Sequence, residues 1–296
     1  MYHFIVNLKA GKGKTQKAVE QIEEYMRANG VPYEIHASKY PGESIELARA
    51  LSAAGGNIVA VGGDGTFNEV LNGLDTQKAV LGFIPAGVGN DFARAAGISQ
   101  KPKEALQNIL KGRVINADYI NVGNREHMRR CLNVAGTGLD IDVLQRYNRK
   151  RRKTKLNYYL SLFRSLLTFK GYQIEMTLNG ETTSHNAFIA AAANGQYFGG
   201  GMKISPDSDI YDGKLDVILI HMTKRRKIPG MLLKFLKGRH LELPVTNTYK
   251  ADSVKIKCLQ NNFVNIDGEL LGNLEFNAQV VQGGLKMFAP SSREVL

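Results

Sequence analysis

The chain has no tryptophan, only two cysteines and only six histidines in 296 residues, and each scarcity excludes something. Cys131 and Cys258 lie far apart and outside any C-x-x-C spacing, so neither a disulfide framework nor a zinc module is indicated, and a reducing cytoplasm is the expected compartment. The histidines are scattered, so no histidine-based metal site is proposed from the sequence. No apolar run approaches the roughly 18 residues of a membrane span, and the N-terminus enters a strand-like segment without a basic leader and cleavage site. Any membrane contact is expected to be peripheral. Two nucleotide signatures are also missing. The Walker A spacing fails because Leu8 stands where glycine is demanded, and G-x-G-x-x-G fails because Gln16 and Phe92 follow the two Gly-x-Gly pairs. A Rossmann oxidoreductase is disfavoured. Acidic residues are outnumbered 27 to 39, giving a formal net charge of +12 and an attraction to anionic partners: nucleic acid, an acidic membrane surface or phosphorylated ligands.

What is present is an alternation of strand-like and helix-like patterns over about the first 120 residues, the mark of an α/β layer with a parallel sheet. Strands are expected at His3 to Val6, Tyr33 to Ala37, Ile58 to Val61 and Val80 to Ile84, and a helix behind Pro102. From about residue 115 short strands with turns between them predominate, including an Asn179-Gly180 hairpin signal, and a β-sandwich is the expected second domain. The expected division is 1–122 and 123–296, with the last few residues packing back on the first domain. Residues 146–170 read as a helical segment that is strongly basic at its start.

The most informative stretch is Gly62-Gly63-Asp64-Gly65-Thr66, a glycine turn between a buried strand and a helix carrying Phe67, Val70 and Leu71. Glycines let a backbone approach a ligand closely, and the free N–H groups of a helix start favour an anion. Thr66 and Glu69 have the spacing of a capping box. Asp64 is anomalous there, since a carboxylate repels phosphate unless a cation intervenes or a proton must be taken, and both exceptions point to phosphoryl transfer with Mg²⁺. A second glycine turn, Pro85 to Asp91, is expected at the same sheet edge.

Gly62 to Glu69, Pro85-x-Gly87-x-x-Asn90-Asp91-Phe92-Ala93-Arg94 and Asp267-Gly268-Glu269 together resemble the diacylglycerol kinase catalytic-domain family of soluble bacterial lipid kinases, over nearly the whole chain. The resemblance implies an α/β domain, a C-terminal β-sandwich and ATP in the cleft between them. It implies a nucleotide loop of Gly62, Gly63, Asp64, Gly65, Thr66, Asn68 and Glu69, helped by Asn7, Ser38, Gly87, Asn90 and Asp91. It implies Glu269 as general base, with Asp64 a competitor for that role or otherwise a partner of Mg²⁺. It also implies a structural Mg²⁺ held by the Asp212 carboxylate with the carbonyls of Asp209 and Lys214. Two positions depart from the family pattern: Leu8 replaces a proline, and Val88 replaces a hydroxyl residue, so its side chain cannot hydrogen-bond a phosphate. Without the resemblance, Asp267-Gly268 reads first as a hairpin-turn dipeptide.

The run Arg149-Lys150-Arg151-Arg152-Lys153 precedes an apolar helical face of Leu156, Tyr159, Leu160, Phe163, Leu166 and Leu167. That pairing suits an anionic bilayer, and it equally suits a face packed on its own domain. The function expected is an ATP- and Mg²⁺-dependent lipid kinase, acting on a lipid alcohol such as diacylglycerol at the inner membrane surface. No nucleic acid is expected as a partner, and a homodimer is left open. The alternatives are an NAD kinase, against which the Pro85 to Arg94 motif argues, and a non-catalytic nucleotide-sensing regulator that binds membrane or nucleic acid, against which intact Asp64 and Glu269 argue.

Overall fold

A computed structural model describes residues 1–152 and 154–290. Lys153 of the basic run and the terminal residues 291–296, expected to pack back on the first domain, lie outside the described residues.

The first lobe runs β1 (Tyr2–Val6), α1 (Lys14–Ala28), β2 (Tyr33–Ala37), α2 (Glu43–Ser52), β3 (Gly56–Gly62), α3 (Asp64–Gly73), β4 (Ala79–Pro85), α4 (Asp91–Ala95) and α5 (Pro102–Leu110). Its strands lie in the order β4-β3-β1-β2, all parallel. Both faces are covered, which is why the strands read as unbroken apolar runs. Phe4, Val6, Val59, Val61 and Ile84 pack with the buried residues of α1 and α5, while Ile5, Ile58, Ala60, Leu81 and Phe83 pack with those of α2 and α3. Short connections leave the carboxyl ends of all four strands on one edge, the place where such sheets bind ligands.

The second lobe contains β5 (Val114–Gly123), β6 (Met128–Cys131), β7 (Val134–Gly138), α6 (Leu139–Asn148), α7 (Lys155–Thr168), β8 (Tyr172–Leu178), β9 (Glu181–Ala193), β10 (Tyr197–Phe198), β11 (Met202–Lys203) and β12 (Leu215–His221). Then follow α8 (Ile228–Leu236), β13 (Thr246–Ala251), β14 (Ser253–Cys258), β15 (Phe263–Ile266), β16 (Glu269–Gly272) and β17 (Phe276–Phe288). Its sheet closes over a core of Ile120, Ile174, Met176, Val217, Leu219, Val254, Ile256 and Phe276. The other faces of β9 and β12, with Ile189, Ile218 and Ile220, pack against Phe169, Met231 and Phe235. Asn179 and Gly180 make the expected hairpin, both at positive φ, with Leu178 paired to Glu181.

Three expectations change. The last strand is longer than its apolar stretch to Val281 suggests and continues to Phe288, through a register shift between Val281 and Leu285. It pairs antiparallel with β5 along most of its length and meets β4 in parallel at Met287 and Leu81, joining the lobes in one sheet. The segment 146–170 holds the end of α6 and the whole of α7 rather than one helix, and Arg149 to Arg152 follow the end of α6, because six successive positions from Arg149 offer no apolar residue to bury. The helix α8 was hidden behind the basic run Lys224 to Lys227.

Candidate active site

The two glycine turns touch. A Cβ added at Gly87 would lie 2.4 Å from Gly63 Cα, and the Ala86 and Gly87 N–H groups both donate to the Gly62 carbonyl, at 2.7 and 3.1 Å. Only glycine allows this approach. Asn7 ends β1 with its Oδ1 accepting from Lys9 N at 3.1 Å, and Ser38 follows β2 with its backbone N–H donating to the Val6 carbonyl at 2.9 Å. These two and both glycine turns therefore line one strand-end edge.

The proposed capping box does not form. Helix α3 begins at Asp64 with Gly63 as its N-cap and no side-chain cap. Thr66 is buried with its hydroxyl over Gly62, and Glu69 Oε1 instead accepts from Gly42 N–H at 3.1 Å, tying the turn before α2 to α3. The chain enters the helix three residues before a Thr66 cap would start it, with the extended Gly63 as N-cap.

Asp64 Oδ1 accepts from Phe92 N–H at 3.2 Å, and burial, with Asp91 beside it, pushes its carboxyl up to about 6. Asp91 is buried, one oxygen accepting from Gly200 N–H at 2.8 Å and the other without a partner. Burial raises its pKa as well. Asn90, at φ 52°, holds the second turn by accepting from Gly87 N–H at 3.0 Å and donating to Gln100 Oε1 at 3.0 Å.

Across the junction stands Asp267, the first residue of a two-residue hairpin between β15 and β16, with φ 49° there and 92° at Gly268. Both readings of Asp267-Gly268 thus meet in one turn. The carboxylate accepts from the backbone N–H groups of Leu132, Asn133 and Val134 at 2.7, 2.9 and 3.1 Å, and from Asn68 Nδ2 at 2.9 Å. Asn68, which also donates to the Arg130 carbonyl at 3.0 Å, is committed to joining the lobes. Cys131 Sγ donates to Asp267 at 3.3 Å, and burial first of all keeps that thiol protonated. Glu269 heads β16, half-exposed, 3.5 Å from Arg129 Nη2.

Asp64, Asp91 and Asp267 line a cavity of only about 10 Å³ between the lobes, with Asn133, Tyr197 and Phe198 opposite. A larger cavity of about 370 Å³ lies on the other side of the Pro85 to Asn90 turn, edged by Lys14, Lys17 and Arg94, with Val88 in its wall. Lys14 belongs to Gly11-Lys12-Gly13-Lys14-Thr15, the end of the rejected Walker A match, and Lys17 to no motif. Helix α1 sets both beside the second glycine turn.

The Asp209 to Lys214 loop is anchored on Asp118, which accepts from Gly213 and Gly283 N–H at 2.7 and 2.6 Å. Asp212 Oδ1 accepts from Lys214 N–H at 2.9 Å, and its Oδ2 accepts from the Lys250 ammonium. A carboxylate and main-chain carbonyls fit Mg²⁺ as hard oxygen donors. An ion there would exchange with the Lys250 ammonium.

Residues 1–122 match the family model described as the diacylglycerol kinase catalytic domain, and residues 133–289 match the YegS C-terminal NAD kinase beta sandwich-like domain. A diacylglycerol kinase of Bacillus subtilis strain 168 is 30% identical over 281 residues, covering 91% of this chain and 90% of its own. One from Mycobacterium tuberculosis strain H37Rv is 28% identical over 291 residues, covering 97% and 94%. The fold is shared with the crystal structure of a diacylglycerol kinase from Bacillus anthracis strain Sterne, with TM-score 0.74, 24% identity and coverage of 98% and 97%. With touching glycine turns, a half-buried aspartate at a helix start and these matches along both lobes, the chain belongs to the diacylglycerol kinase catalytic-domain family and is a lipid kinase.

Proposed function

We propose that the chain transfers the γ-phosphoryl group of ATP to the free hydroxyl of diacylglycerol, giving phosphatidic acid, at an anionic membrane surface. The observation that carries this reading is the contact of two glycine turns at the ends of parallel strands, beside a half-buried carboxylate at a helix start. N–H groups at the start of α3 and in the Gly87 turn would receive the phosphates. Asn7 and Ser38 would flank them, and Lys14, Lys17 and Arg94 would add positive charge from the adjoining cavity. Admitting a nucleotide between the lobes takes an opening of the junction around Asp267, whose cavity is now water-sized.

In the transfer the lipid oxygen bonds to the γ-phosphorus, the bond to the β,γ-bridging oxygen breaks with its electron pair going to ADP, and the hydroxyl proton passes to a carboxylate. Asp64 and Glu269 are the two candidates. Burial pushes the Asp64 carboxyl up to about 6, suited to a base near neutrality, whereas Glu269 is the more exposed to an incoming lipid. Mg²⁺, when bound, supplies charge neutralisation at the phosphates. A structural ion would be held by Asp209, Asp212 and Lys214.

Delivery to the membrane is assigned to α7. Leu156, Tyr159, Leu160, Phe163 and Leu167 are all exposed on one side of it, while Leu162 and Leu166 pack inward. Arg149, Arg151 and Arg152 are exposed just before it. No helix among the described residues is long and apolar enough to cross a membrane.

The test is γ-labelled ATP with a panel of lipid alcohols in anionic vesicles, with NAD as a further acceptor. Label enters diacylglycerol with the native chain and falls at least about 10²-fold in Asp64→Asn and in Glu269→Gln. Undiminished labelling in both variants removes the catalytic assignment, and label in NAD alone removes the lipid.

A further inference from the structure

Histidines that are scattered in sequence meet at the edge of the first sheet. Strand β2 is outermost, and its register with β1 sets His3 opposite Glu34 and Ile5 opposite His36. Glu34 and His36, two apart on a strand, share a face, and His3 lies on the same face across the ladder. Three donor atoms converge there. His3 Nδ1 is 3.2 Å from Glu34 Oε2, His36 Nε2 is 3.4 Å from the same oxygen, and the two ring nitrogens are 3.4 Å apart. Ligand atoms bound at about 2.0–2.1 Å around a tetrahedral ion stand roughly 3.3–3.4 Å from one another, so the triangle already has the dimensions of one face of a coordination shell.

We propose that His3, Glu34 and His36 form a three-ligand site for a divalent transition-metal ion of the Zn²⁺ type, with solvent in the fourth position. A proton shared by Glu34 and one imidazole would satisfy one edge of the triangle. A divalent ion satisfies all three. Two imidazoles and a carboxylate favour Zn²⁺ or Co²⁺ over Mg²⁺, which prefers oxygen donors, so this ion is separate from the one serving phosphoryl transfer. The rings are 20% and 23% exposed and Glu34 is 50% exposed, leaving the open side to water. The ion would clip β2, whose strand partner is β1, close to the turn that carries Ser38.

The test uses the full-length untagged chain, stripped with chelator and titrated with Co²⁺. One equivalent is expected to bind with a tetrahedral visible absorption that Zn²⁺ removes, and saturating Zn²⁺ to raise the melting midpoint by about 4 °C. His36→Gln and Glu34→Gln each weaken Co²⁺ at least about tenfold, while His185→Gln, at a separate histidine pair, leaves it unchanged. In the unaltered chain, Zn²⁺ protects His3 and His36 from diethyl pyrocarbonate. Binding weaker than about 100 µM, or binding unchanged in both variants, overturns the site.

Discussion

Asp64 shows at a single residue how this site sets function against stability. Its carboxyl is pushed up to about 6 by burial and by Asp91, from an unfolded value of about 3.9. Between those values the folded chain holds a proton that the unfolded chain lacks, so this group favours folding at low pH and opposes it increasingly as pH rises through about 6. Asp64→Asn is therefore expected to gain about 1–2 kcal/mol at pH 7.5, and the gain should vanish below about pH 4. Thermal melts at both pH values check this, and a variant no more stable at pH 7.5 refutes it. If Asp64 is the base, the native kinase rate also declines below about pH 6. The aspartate was legible in the sequence because it breaks a local rule, a charge among glycines at a helix entrance. Lys17 and the His3–Glu34–His36 cluster were not legible, and Lys14 was set aside with the failed Walker A spacing, because their placement depends on which elements the sheet brings side by side. His3 and His36 are 33 positions apart and meet through strand register alone.

At the scale of elements, the β15–β16 hairpin is held by an unusual concentration of bonds on one carboxylate. Asp267→Ala would leave three backbone N–H groups and the Asn68 amide without their acceptor, a loss of at least about 3 kcal/mol. Asp267→Asn, which keeps one acceptor oxygen, should lose less. Urea melts of the two variants decide it, and equal stability of Asp267→Ala and the native chain would show that the bonds are replaced by water. The strands and the Asn179-Gly180 hairpin were readable from alternation and turn chemistry, as was Pro102 at the start of α5. The start of α3 was misread because Thr66 and Glu69, which match a capping pattern in sequence, are engaged elsewhere, Thr66 over Gly62 and Glu69 at Gly42 N–H. The break in 149–154 was missed because periodicity on either side was strong enough to bridge it.

For the whole molecule, the excess of positive charge finds an address in the exposed arginines beside the apolar side of α7. Each basic residue near an anionic bilayer contributes about 1 kcal/mol, so replacing Arg149, Arg151 and Arg152 together by Gln should weaken binding to anionic vesicles by roughly 100-fold at low ionic strength. The difference should fade near 1 M salt, where the Debye length is about 3 Å. Vesicle co-sedimentation measures both, and equal binding of the triple variant at low salt would point to a purely apolar contact.

The path of β17 also constrains how this molecule is made. Leu285, Met287 and Phe288 complete packing begun by residues at the opposite end of the chain, among them Phe4, Ile5 and Ile22. On a ribosome, then, the flank of β4 at Leu81 waits bare until Met287 has emerged. The first lobe therefore completes its core only with β17, and until that strand emerges an unpaired edge and apolar surface stay open to aggregation.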